Sequence, residues 1–183
     1  MPIVELHTMN SFAQTNRWYA LHVRSRHEKS VCAQLEAKDY TVFLPLYEAR
    51  NRWGDRWKAV DLPLFPGYVF CHFDSVDRSH VVATSGVIDI VRVGSDPAPI
   101  ENHEIDAIKL VADSRLVVEP YPSLAIGERV VMKSGPLSGI TGTLLEVRNN
   151  FRLVVSVELL RRSVLVQIDQ RWAVPLAVSQ AAV

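Results

Sequence analysis

After Arg115 the helical period disappears from this chain, and no other feature restricts its fold as much. Upstream, strand-like and helix-like segments alternate. Downstream, four short β-prone runs occupy 128–133, 141–147, 153–159 and 163–168. Their turns carry Ser134-Gly135-Pro136, Ser138-Gly139 and Asn149-Asn150. Short strands with glycine turns and no helix point to a small barrel. Between the halves lies Glu119-Pro120-Tyr121-Pro122-Ser123, whose prolines read as a linker. The expected organisation is a flexible arm at 1–16, an α/β domain at 17–116, a linker at 117–125 and a β-barrel at 126–178. The fold class is α+β.

Within the first half, Arg17-Trp18-Tyr19-Ala20-Leu21-His22-Val23 reads as a strand. Ser25 with Glu28 three residues on makes a capping box and predicts a helix over 26–38. Strands are expected at 41–44, 68–73 and 87–93. Residues 48–58 read as an exposed hairpin turning at Gly54-Asp55. Ser75 can cap a short helix reaching 81–83. Ile105, Ile108, Val111 and Ala112 share one face of a further helix.

Hydrophobic residues form 48% of the 183 and charged residues 22%, which suits packed cores and not general disorder. The formal net charge is +0, so basic regions must be sought locally. Cys32 and Cys71 lack metal-site spacing and read as reduced thiols. No apolar run reaches the roughly 20 residues of a membrane span. The first residues carry no secretory pattern. A soluble, cytoplasmic protein that does not bind membranes is expected.

Chemistry finds little support. The histidines, His7, His22, His27, His72, His80 and His103, form no i,i+4 pair and no HExxH motif. GxSxG, Walker and GxGxxG patterns are missing. We assign no catalytic residue, metal or cofactor, and expect a protein that is not an enzyme. Two stretches point to binding instead. Arg17, Arg24, Arg26, Lys29, Lys38, Arg50, Arg52, Arg56 and Lys58 outnumber Glu28, Glu36, Asp39, Glu48 and Asp55 in the same segment, and Trp53 and Trp57 interleave with the arginines. Cations with aromatics suit single-stranded nucleic acid, although such a run also describes a solvated hairpin. Arg24, Arg26 and His27 stand at a helix start, where backbone amides add to phosphate binding. In Leu64-Phe65-Pro66-Gly67-Tyr68-Val69-Phe70, Leu64, Phe65 and Tyr68 cannot all point inward along one strand. Part of that apolar surface is either a partner site or packed on the strand of Trp18 and Tyr19.

Trp18-Tyr19-Ala20, the capped helix, Phe43-Leu44-Pro45, Leu64–Phe70 and Pro97-Ala98-Pro99-Ile100 resemble, in order, the N-terminal domain of NusG-family transcription elongation factors. Gly127-Glu128-Arg129-Val130, Gly135-Pro136-Leu137 and Ile140-Thr141-Gly142 resemble the KOW motif of the same family. The resemblance implies an N-terminal α/β sandwich with a mainly antiparallel sheet, followed by a five-stranded SH3-like barrel. It implies an elongation or antitermination factor, a monomer, that suppresses pausing or termination. Its polymerase-binding residues would be Tyr19, Leu64, Phe65, Pro66 and Tyr68 against the clamp helices of RNA polymerase. Arg78, Ser79 and His80 would touch the opposite jaw. Arg24, Arg26 and His27 would contact the non-template DNA strand. The KOW loop with Leu137 and Ile140 would recruit a small-subunit ribosomal protein or Rho.

Housekeeping members carry phenylalanine where this chain has Leu137. Leu64-Phe65-Pro66 and Val91-Arg92-Val93-Gly94 are closer to specialised paralogues of the RfaH type. A second reading, from a different class, is an RNA-binding ribosome-associated or translation factor that uses the KOW barrel. The polymerase reading requires Leu64, Phe65 and Tyr68 to be exposed. An unrecognised hydrolase would instead require a pocket with convergent polar groups.

Overall fold

The computed structural model describes residues 16–53, 56–121, 127–147 and 150–176. The expected arm, except Asn16, and the turn at Gly54-Asp55 lie outside the described residues. In chain order the first elements are β1 (Arg17–Val23), α1 (Glu28–Glu36), β2 (Thr41–Phe43), β3 (Leu46–Trp53), β4 (Arg56–Pro63) and β5 (Tyr68–Phe73). A 3-10 turn (Ser75–Asp77), α2 (Arg78–Val82), β6 (Val87–Ile90), β7 (Arg92–Val93), β8 (Asp96–Pro97), β9 (Pro99–Ile100) and α3 (Asn102–Asp113) follow.

These build an antiparallel sheet in the order β2-β5-β1-β6, with β9 also paired to β1. Trp18, Tyr19, Ala20 and Leu21 are all buried because both faces of β1 are covered. Alternation sorts them. Tyr19, Leu21, Val69, Cys71 and Phe73 enter one core with Val31 and Leu35 of α1 and Val81 of α2. Trp18, Ala20 and Phe70 enter another with Ile105, Ile108 and Val111 of α3. The helical face expected around those three residues is therefore observed. The hairpin is also present, as β3 paired to β4 from Leu46↔Pro63 to Trp53↔Arg56.

The capping box does not form. Arg26 adopts φ 65, and α1 starts after His27 with no side-chain cap. The His27 ring bonds the Ser25 carbonyl instead. Farther on, the cap of the second helical segment is Asp74 in place of Ser75: its carboxylate accepts from the Val76 amide.

The second half contains β10 (Val118–Tyr121), β11 (Glu128–Met132), β12 (Thr141–Val147), β13 (Asn150–Val157), β14 (Arg162–Ile168) and β15 (Ala173–Pro175). They form one antiparallel sheet in the order β10-β14-β13-β12-β11-β15. The segment read as linker thus contributes β10, which pairs with β14 from Val118↔Val166 to Tyr121↔Ser163. β10 and β15 end the sheet, and among the described residues no ladder joins them. The architecture is mixed, with antiparallel sheets and few helices; a closed five-stranded barrel is not seen. The core of α3 continues without a break into this sheet through Val155, Val157, Leu160 and Val164. No helix among the described residues is long and apolar enough to cross a membrane.

Candidate docking face and nucleic-acid loop

Leu64 and Phe65 do not lie in a strand. They precede β5 in a turn closed by the Tyr68 amide donating to the Phe65 carbonyl, while the Leu64 amide donates to the Pro45 carbonyl. A turn escapes the alternation of a strand, so both neighbours point inward, each 1% exposed. This corrects the expectation that Leu64 and Phe65 are solvent-exposed. Phe65 meets Phe70 edge-on, with ring centroids 5.5 Å apart, and Phe43 stacks on Phe70 at 6.0 Å. Pro66 is the residue of the turn left exposed.

Tyr68 is half-buried. The His22 ring lies 5.6 Å from it, and the Arg162 guanidinium of β14 lies over it at 5.6 Å. The C-terminal sheet therefore reaches the face that carries this turn. A second contact joins the two halves: the Glu104 carboxylate of α3 accepts from the Glu158 amide at 2.9 Å. Glu158 opens a 3-10 turn (Glu158–Leu160), where free amides favour a carboxylate. Burial pushes the Glu104 carboxyl above its usual range, which the Glu158 amide partly opposes. Between α3 and the sheet lies a cleft of about 350 Å³, lined by His103, Glu104, Arg129, Ser138, Gly139 and Glu158 among others.

Tyr19 is not part of this face. Its ring lies 4.6 Å from Phe73 in the core under α1 and α2, one residue out of phase with Trp18. Trp18 is the aromatic residue of β1 on the docking side, with the Lys109 ammonium 4.7 Å above its ring. Arg78, Ser79 and His80 are the first residues of α2, on the other side of the sheet. Arg78 and Ser79, with Val76, Val82, Ala83 and Arg92 but without His80, line a shallow groove, at whose rim Val76 is 79% exposed. Arg92 pairs with Asp89 at 2.7 Å and holds that carboxyl below its usual range.

Arg24, Arg26 and His27 are exposed together in the loop from β1 to α1. The Arg24 amide donates to the Gly86 carbonyl and the His27 amide to the Arg24 carbonyl. Those two amides are engaged, so phosphate binding here would fall more on side chains than the sequence implies. The side chains of Trp53 and Trp57 lie outside the described residues. Leu137 and Ile140 are buried within the C-terminal core, which corrects their reading as a contact surface. Ser138 and Gly139 between them are exposed and line the cleft beside α3.

The contacts of Glu104 with the Glu158 amide and of Tyr68 with Arg162 had no sequence signature, since each joins different halves of the chain, the first pair 54 residues apart. A family model described as transcription termination factor NusG matches residues 16–109. The chain belongs to the NusG family. It is 27% identical over 167 residues to the transcription termination/antitermination protein NusG of Halalkalibacterium halodurans, covering 83% of this chain and 94% of that one. The same identity over 179 residues relates it to the protein of that name from Staphylococcus aureus, with 88% and 96% covered. A solved structure of Thermotoga maritima NusG, described by its domain interaction, superposes with a TM-score of 0.56 at 20% identity over 86% of this chain and 96% of that one, a likeness of fold. Membership of the NusG family makes this a transcription termination/antitermination factor and places it among transcription factors.

Proposed function

We propose that this NusG-family chain binds RNA polymerase through the face around Trp18, Pro66 and Tyr68, shaped from beneath by buried Leu64 and Phe65, and that the C-terminal sheet covers part of that face until the two halves separate. The observation that carries this is the unbroken apolar core running from Trp18, Phe65 and Phe70 through α3 into Val155 and Leu160, closed over Tyr68 by Arg162. An apolar face of this extent, held by few polar contacts, suits a surface that exchanges one partner for another. We read residues 17–116 as the polymerase-binding unit and the six-stranded sheet as a KOW unit that recruits a further partner. In that reading Arg24, Arg26 and His27 contact the non-template strand, and Arg78, Ser79 and His80 the opposite jaw of the enzyme. The exposed Ser138-Gly139 loop stands for the recruiting surface that Leu137 and Ile140 cannot supply.

Polymerase capture tests the reading. The full chain should retain purified RNA polymerase, and Pro66→Glu, which puts a charge at the exposed tip of the turn, should abolish retention while leaving the circular dichroism unchanged. Equal retention by both proteins would refute the docking face.

A further inference from the structure

We infer that Glu28 is a positioning residue for the docking turn, an inference that rests on the polymerase reading above. Glu28 is the first residue of α1, and its side chain is 6% exposed. An ionisable group so buried needs a partner. The sequence assigned it one in the Ser25 amide, but that bond is not formed. Its Oε1 atom instead accepts from the Gly67 amide at 2.9 Å, across 39 residues of sequence.

Gly67 is the hinge of the docking turn. It sits at φ +83, a conformation that glycine adopts without strain, between exposed Pro66 and half-buried Tyr68. Its carbonyl accepts from the Val23 amide at 2.9 Å, so strand β1 and helix α1 hold the two peptide groups flanking Gly67. Glu28 thereby fixes where Pro66 projects and where the Tyr68 ring stands relative to His22 and Arg162. Its own helix start is locked in turn: a Cβ on Gly86 would meet Val31 at 2.8 Å and His27 at 3.3 Å. The carboxylate thus belongs to an element packed closely on the Gly86 loop.

What Gly67 requires is an acceptor, and a carboxylate is a stronger one than a neutral oxygen. Glutamine keeps an oxygen at that point, whereas alanine leaves the half-buried Gly67 amide without its protein acceptor. In the full chain, Glu28→Ala should weaken polymerase binding about tenfold, whereas Glu28→Gln should stay within about threefold of the native chain. Amide exchange followed by NMR should show the Gly67 amide protected in the native chain and in Glu28→Gln, and exposed in Glu28→Ala. Leu35→Val, at the far end of the same helix, serves as a stability control and should lower the melting temperature without changing affinity. The inference is overturned if Glu28→Ala binds polymerase as the native chain does, if Glu28→Gln fails as badly as Glu28→Ala, or if Leu35→Val reproduces the affinity loss. Should the native chain not bind polymerase, the polymerase reading fails and Gly67 amide protection alone decides the role of Glu28.

Discussion

Glu104→Ala and Arg162→Ala together should open the molecule. The cation over Tyr68 is half in water, which sets its contribution at about 0.5–1 kcal/mol. The bond from the Glu158 amide to the Glu104 carboxylate is charge-assisted but only partly shielded, so about 1 kcal/mol is a fair figure after solvent screening. The two contacts lie on different elements and should add to within a few tenths, giving about 1.5–2 kcal/mol. At 1.4 kcal/mol for each factor of ten, the ratio of open to closed molecules should rise about 10- to 30-fold. Energy transfer between dyes placed at Ser79 and Gln167, both exposed, reports that ratio. Acidity supplies a second handle. The Glu104 carboxyl titrates above its ordinary 4.5, chiefly because burial disfavours its charge. A raised acid contributes stability in full below its free value, and the contribution is lost as pH rises through its folded one. Closure should therefore strengthen as pH falls through the raised value and level off below 4.5, and Glu104→Gln should flatten that dependence. Unchanged energy transfer in the double variant would refute the claim that these contacts hold the halves together.

Three further outcomes follow from local geometry. Gly142→Ala places a Cβ 2.6 Å from the Val154 carbonyl oxygen, an atom fixed in the β12–β13 ladder; urea unfolding should show a loss of about 2–4 kcal/mol. Burial pushes the Cys71 thiol up to about 12 and the Cys32 thiol up to about 11, the latter with help from Glu36. Alkylation at pH 8 should thus be slow for the native chain and fast in urea, as counted by mass spectrometry. The hydrogen bonds from Arg171 lower the Asp169 carboxyl from 3.8 to about 2, so any stability it contributes is lost only as pH falls through that window; an NMR titration of Arg171→Ala should return it toward 3.8.

Periodicity made much of the fold legible. The β1 and β5 strands and the face of Ile105, Ile108 and Val111 follow from residue spacing, because burial of one face imposes that spacing. The state of Leu64 and Phe65 was not legible, since the rule of alternation governs strands and these residues lie in a turn. Glu28 shows a different failure. Local sequence offered it the Ser25 amide, yet a distant amide at Gly67 was the better partner, and only the tertiary fold brings that amide near. The prolines around β10 were equally misleading: Pro120 pairs at the edge of the sheet, where a missing donor costs nothing. Tyr19 and Trp18 are neighbours of similar chemistry, and strand parity alone decided which of them faces the docking side.

The strand β10 has one more consequence. Because it belongs to the C-terminal sheet, the free chain between the two halves is not the stretch of prolines but Ser114 to Val117 alone. Even that is partly fastened: the Gln167 amide holds the Val117 carbonyl, and the Ser114 hydroxyl holds the end of α3. Four extended residues span about 14 Å at most. In the proposed separation, β10 in place would let the halves swing apart without drifting, each at a high effective concentration over the other. Peeling β10 from β14 would add the four residues Val118–Tyr121 to the leash. The proposed separation would thus have two ranges, a short one with β10 paired and a long one gated by four residues of ladder.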